Sequence, residues 1–165
     1  MEKKVKRKSV SFLYSKITDQ QAMMLKSKKV SYARGRTEDR LVSILKEQEA
    51  FNKKEIAKRG SVPEEFIKEE EAIIAKHAEK APDGSYITNG MYNIPNEAAE
   101  DFYKEREELY EKFGEQGQKI KEYNKTMDDY FNEEITIEFY MVKEEDLPDD
   151  INSIQRKVLS DIITE

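Results

Sequence analysis

The sequence predicts an α+β fold that is mainly α, on the strength of three observations. Apolar residues recur every three or four positions through much of residues 37–132, one segment near 135–141 alternates strictly, and an Asn-Gly pair sits between two short stretches, residues 85–88 and 91–94. The expected architecture is a helical hairpin and a long amphipathic helix, with a small β-hairpin and one or two further short strands. Residues 1–17 read as a basic N-terminal arm or strand, and 18–165 as a single mainly helical domain. Charged residues, at 39%, outnumber apolar ones at 37% across the 165 positions. Such a chain uses charge-covered helices with a narrow buried stripe, or completes its core against a partner. Nine tyrosines and seven phenylalanines argue for a folded chain, since disordered segments are poor in aromatics.

Taken in order, Val10, Phe12 and Tyr14 alternate and predict a short strand over residues 9–17. Thr18 and Asp19 are placed to cap a short helix through Ala22 and Leu25, and Gly35 punctuates the basic stretch that follows. Thr37 then reads as the N-cap of a helix carrying Leu41, Ile44, Leu45, Phe51 and Ile56, closed by Gly60. Ser61 and Glu64 match a capping box around Pro63, and the second helix of the hairpin runs through Phe66, Ile67, Ile73, Ile74 and His77 to about Lys80.

Ala81-Pro82-Asp83-Gly84 has the residues of a β-turn. Residues 85–88 and 91–94 flank Asn89-Gly90 as a two-residue hairpin. Asn96 is an expected N-cap, after which Phe102, Leu109, Phe113, Ile120, Tyr123, Met127 and Tyr130 trace one helical seam. Gly114 and Gly117 each weaken that seam by roughly 1 kcal/mol, so residues 97–132 form one helix or two. Ile135, Ile137, Phe139 and Met141 alternate as the clearest strand, which pairs in this reading with residues 9–17. Asp149 or Asp150 caps a last amphipathic helix carrying Ile151, Ile154, Val158, Leu159 and Ile162.

The net charge of −6 is unevenly spread: residues 1–40 hold 12 Lys/Arg against 4 Asp/Glu, which leaves −14 for the remainder. A basic arm on an acidic body suits nucleic acid, an acidic protein face or the acidic body of a neighbouring copy, or else is a solvated, fraying terminus. Nucleic acid is the weaker candidate because the body repels phosphates. Lys26, Lys28, Lys29, Arg34, Arg36 and Arg40 around Tyr32 mix bases with an aromatic, but no nucleic-acid reading fold is recognisable.

With no cysteine, thiol catalysis and cysteine-ligated metal are excluded. The single His77 lies on the apolar side of its helix and reads as a packed residue. No nucleophile elbow, P-loop, dinucleotide fingerprint or EF-hand loop occurs. The runs Glu69-Glu70-Glu71, Asp128-Asp129 and Glu133-Glu134 read as solvated faces. The expectation is a protein without catalytic residues, cofactor or metal, not secreted by a signal peptide and not held in a membrane. The partner-binding candidates are Lys3, Lys4, Lys6, Arg7 and Lys8 of the arm, with Tyr86, Asn89, Gly90 and Tyr92 of the hairpin.

The order of several segments is familiar. Lys29-Val30-Ser31-Tyr32-Ala33-Arg34 leads into a charged helix, and Ala75-Lys76-His77-Ala78-Glu79-Lys80 precedes Pro82-Asp83-Gly84. Asn89-Gly90-Met91-Tyr92-Asn93-Ile94, Phe131-Asn132-Glu133-Glu134-Ile135-Thr136-Ile137 and Glu145-Asp146-Leu147-Pro148 follow. Over about residues 18–165 this order resembles a group of small uncharacterised proteins of tailed bacteriophages. Residues 1–17 and 115–125 depart from that pattern. The resemblance brings no catalytic residues. It implies a phage product of the late structural genes, present in the virion or host cytoplasm. Its partners would be other phage structural proteins or further copies of itself, or else a host defence or transcription protein that it inhibits.

Overall fold

The computed structural model describes residues 1–87 and 91–164, and they form a mainly helical α+β fold. The elements are β1 (Glu2–Lys6), α1 (Val10–Ile17), α2 (Gln20–Met23), α3 (Lys28–Arg59), α4 (Glu64–His77), α5 (Asn96–Lys112), α6 (Gly114–Asn132), β2 (Glu134–Glu138), β3 (Val142–Lys143), α7 (Ser153–Leu159) and β4 (Ile163–Thr164). They divide into two compact units: Met1–Lys53 with Met127–Glu165, and Lys54–Thr126.

The first unit is closed by β1 and β2, which pair antiparallel with Lys4 opposite Thr136 and Lys6 opposite Glu134. The ladder continues one step further, where the Phe139 N–H donates to the Met1 carbonyl at 2.7 Å. Ile135, Ile137, Phe139 and Met141 all face the core, as the alternation requires. The partner strand, however, is residues 2–6 and not 9–17. Residues 10–17 are helical because Val10, Leu13 and Ile17 recur at steps of three and four and are buried, while Phe12 is left 65% exposed. β3 and β4 add a short parallel pair.

The long helix α3 starts at Lys28, so neither Gly35 nor Thr37 marks a boundary. Val30, Ala33, Thr37 and Leu41 form one buried stripe at helical spacing, and its packing outweighs the cost of an interior glycine. Thr37 is fully buried, and its Oγ1 accepts the Tyr140 N–H at 3.0 Å rather than capping a helix. Phe51 and Tyr130 stack at 3.9 Å, with the Arg7 guanidinium 4.5 Å over the Tyr130 ring.

Other expected caps also move. Pro63 and Pro95 occupy the N-cap positions of α4 and α5 without side-chain caps, because the fixed φ of proline turns the chain into each helix unaided. Asp19 caps α2 as expected, accepting from Gln21 N. Asn152, not Asp149 or Asp150, caps α7 and forms a capping box with Gln155. That helix ends at Leu159, short of Ile162.

In the second unit the seam of residues 97–132 is two helices, broken at Gly114 with φ +54°. Phe66, Leu109, Tyr110 and Ile120 form its core, with Val62, Ile73 and Phe113 packed beside them. Arg106 donates from Nε and Nη2 to Glu70 Oε1 at 3.1 and 2.8 Å, tying α5 to α4.

Two glycines in helices should respond oppositely to alanine. A Cβ on Gly117 would lie 2.0 Å from the Tyr110 carbonyl oxygen, so Gly117→Ala should destabilise by on the order of 3 kcal/mol in urea unfolding. Gly35 has nothing within 4 Å of a Cβ, so Gly35→Ala should stabilise by about 0.5–1 kcal/mol in the same measurement.

Candidate functional site

The segment joining α4 to α5 builds an open cleft in the second unit. α4 ends where Ala78 takes an extended backbone, and a tight turn follows. There the Gly84 N–H donates to the Ala81 carbonyl at 2.8 Å, and the Ala81 N–H to the Ser85 carbonyl at 2.7 Å. Asp83 Oδ1 accepts from the Ser85 N–H and Oγ at 2.9 and 2.7 Å, and these bonds hold its carboxyl below the usual range. The returning chain is fixed by the Glu79 N–H donating to the Asn93 carbonyl at 3.0 Å and Asn93 Nδ2 donating to Glu79 Oε2 at 2.5 Å.

Between these two arms lies a cavity of about 450 Å³, lined by Glu79, Lys80, Ala81, Pro82, Tyr86, Met91, Tyr92 and Asn93. The Lys80 ammonium sits 5.5 Å over the Tyr86 ring. Tyr92 tilts against the buried Phe102 at 5.8 Å, and burial pushes its phenol up from the ordinary value. Met91 is 71% exposed, and Ile87 and the nearby Tyr103 also face solvent. An open cleft of tyrosine, proline and methionine is suited to take an apolar side chain from another protein. Tyrosine supplies large contact area at low entropic cost, and methionine adapts to shape.

Behind the cleft, the His77 ring meets Phe102 edge-on at 6.1 Å. Its side chain is 8% exposed, and Nε2 lies 3.2 Å from Glu105 Oε1 without the alignment of a hydrogen bond. The same carboxylate bonds the Lys76 ammonium. That bond, and next the proximity of His77, hold the Glu105 carboxyl below its ordinary value. His77 is thus a packed residue beside a charge pair, as its position on α4 suggests.

Of the sequence candidates, Tyr86 and Tyr92 meet in this cleft. Asn89 and Gly90, with the turn of the expected hairpin, lie outside the described residues. The basic arm is in the other unit and is divided by the ribbon. Lys3 donates to the Asp161 carbonyl at 2.6 Å, and Arg7 pairs with Glu133 at 2.8 Å. Lys4, Lys6 and Lys8 are exposed. The basic start of α3 is largely engaged: Lys29 pairs with Asp146, Arg34 with Glu38 and Arg40 with Glu138, while Arg36 stacks on Tyr140 at 5.2 Å. Residues 1–53 and 127–165 together carry a net −1, and residues 54–126 carry −5. The basic excess of the first 40 residues is therefore balanced inside its own unit, and the acidic excess belongs to the unit with the cleft.

Sequence reasoning passes over Pro82, Lys80 and Met91 as lining residues, although the Pro-Asp-Gly turn marks where the chain reverses to form the wall. Among the described residues no group of three His, Asp or Glu is placed to hold a metal ion, and no helix is long and apolar enough to cross a membrane. No family model, curated protein or solved structure matches the chain.

Glu105 generates a pH prediction. Its lowered carboxyl pKa contributes stability above the ordinary carboxylate value, and that contribution disappears as pH falls through the lowered one. Glu105→Gln should lower Tm at neutral pH and flatten the fall in Tm below about pH 5, as followed by circular dichroism.

Proposed function

We propose that this protein is a non-catalytic bacteriophage protein, a small component of virion or tail assembly that acts by binding other phage proteins. The cleft carries the reading. A hydrogen-bonded loop presents Tyr86, Tyr92, Met91 and Pro82 around an open cavity, and aromatic and methionine side chains of this kind are enriched at the centres of protein interfaces. The resemblance of its segment order to that of small tailed-phage proteins suggests the context.

A second reading has its own observation. The −5 on residues 54–126 concentrates acidic groups on one unit, as an inhibitor occupying a basic groove of a host defence or transcription protein would require. The two readings part in one experiment. Mass spectrometry of gradient-purified particles should find the protein at a fixed copy number relative to the major capsid protein. Absence from particles, together with salt-sensitive retention of a host nucleic-acid enzyme from infected cells, would replace the first reading with the second.

A further inference from the structure

The exposed face of α1 complements the cleft. Val10, Leu13 and Ile17 turn inward, so Lys8, Ser11, Phe12 and Ser15 are left outside. Phe12 is 65% exposed, and the exposed residues next to it on the helix, Ser11 and Ser15, are small. Burying such a ring is favourable, and the first unit leaves most of it in solvent. Around it the charge is positive. Exposed Lys8 lies four residues before Phe12, while Lys16, four residues after and with its ammonium 5.9 Å from the ring centroid, is paired with Asp161. Exposed Lys4 and Lys6 lie just before them in sequence.

The cleft has the opposite character. Its walls are tyrosine, proline and methionine, and its one lining carboxylate, Glu79, accepts from Asn93 across the two arms. α5 begins three residues after Asn93 and exposes Glu97, Glu100 and Asp101 in its first turns. Among the described residues Lys80 is the one cation lining the cleft, and it is already placed over Tyr86. An aromatic knob with cationic shoulders and an apolar cleft with acidic shoulders thus occur on different units of one chain.

We infer that the protein self-associates head to tail, the Phe12 knob of one copy entering the Tyr86–Met91–Tyr92 cleft of the next. The inference rests on reading the cleft as a protein-docking site and names a second copy as its occupant. Because knob and cleft are different surfaces, the contact is heterologous. Each chain of copies keeps one free knob and one free cleft until a ring closes or a filament extends. The flanking Lys and Glu/Asp residues make the contact weaken with added salt.

The test uses the full chain in sedimentation velocity, from low micromolar to near-millimolar concentration and at two salt concentrations. The wild type should grow in mass with concentration and shrink in high salt. Phe12→Ser and Tyr86→Ser should each stay monomeric with unchanged circular dichroism, while Met23→Ser, at another exposed apolar position, should associate as the wild type does. Mixing the two monomeric variants is decisive. Phe12→Ser retains the cleft and Tyr86→Ser retains the knob, so the mixture should give a one-to-one dimer and nothing larger. A wild type monomeric throughout would overturn self-association, as would association that survives either variant, or a mixture without dimers. None of these outcomes touches the particle copy number, which tests the broader reading separately.

Discussion

The pairing of β1 with β2 is the constraint on which the first unit depends. Five residues at one end of the sequence meet five that lie more than 120 positions later. That contact lays Ile135, Ile137 and Phe139 over the apolar faces of α1 and α3. Closing so long a loop is costly in chain entropy, although the cost grows only with the logarithm of loop length. The ladder hydrogen bonds cannot offset it alone. The buried faces beneath do: Val10, Ile17, Val30, Leu41, Ile137, Phe139, Leu159 and Ile162 are almost wholly removed from water. Thr37 joins the two layers by engaging its hydroxyl with the Tyr140 amide.

Charge follows the same closure. Arg7 meets Glu133, Lys16 meets Asp161, Lys29 meets Asp146 and Arg40 meets Glu138. Each such surface pair contributes at most about 1 kcal/mol. Their common pattern matters more than their sum, because every one joins the basic beginning of the chain to its acidic end. They favour this pairing of segments over others, in which like charges would face each other. The second unit has a smaller core and keeps an acidic excess, with Arg106 and Glu70 fixing α4 against α5 beneath the cleft.

Much of this is legible in the sequence. The alternation from Ile135 to Met141 and the proline-containing turn at 82–84 each follow from a local rule that no competing preference opposes, while the helical spacing of residues 102–130 leaves open the break that Gly114 makes. Residues 9–17 mislead because Val10, Phe12 and Tyr14 satisfy a period of two while Val10, Leu13 and Ile17 satisfy a helical one. Only tertiary burial decides between them. The early start of α3 is hidden for a similar reason: Gly35 and Thr37 resemble a boundary locally, and the stripe running through Val30, Ala33, Thr37 and Leu41 overrides it. The cleft is half legible. Tyr86 and Tyr92 stand out, but Lys80 and Pro82 reach it only through hydrogen bonds between Glu79 and Asn93, and no periodicity encodes these.

The division into units also orders folding in time. Residues 54–126 contact one another across short sequence separations, and α4, α5 and α6 are available to pack as soon as they leave the ribosome. The first unit has no such freedom: β1, α1 and the start of α3 emerge early but must wait for residues 134–138 before their apolar faces can be covered. During that interval Val10, Leu13, Ile17 and Val30 are exposed on a chain segment of net charge +8. Mutual repulsion among those lysines and arginines disfavours association between such segments. The same basic segment that opposes its own association while uncovered becomes, once residues 134–138 have paired with it, one half of the charge pairing that closes the fold.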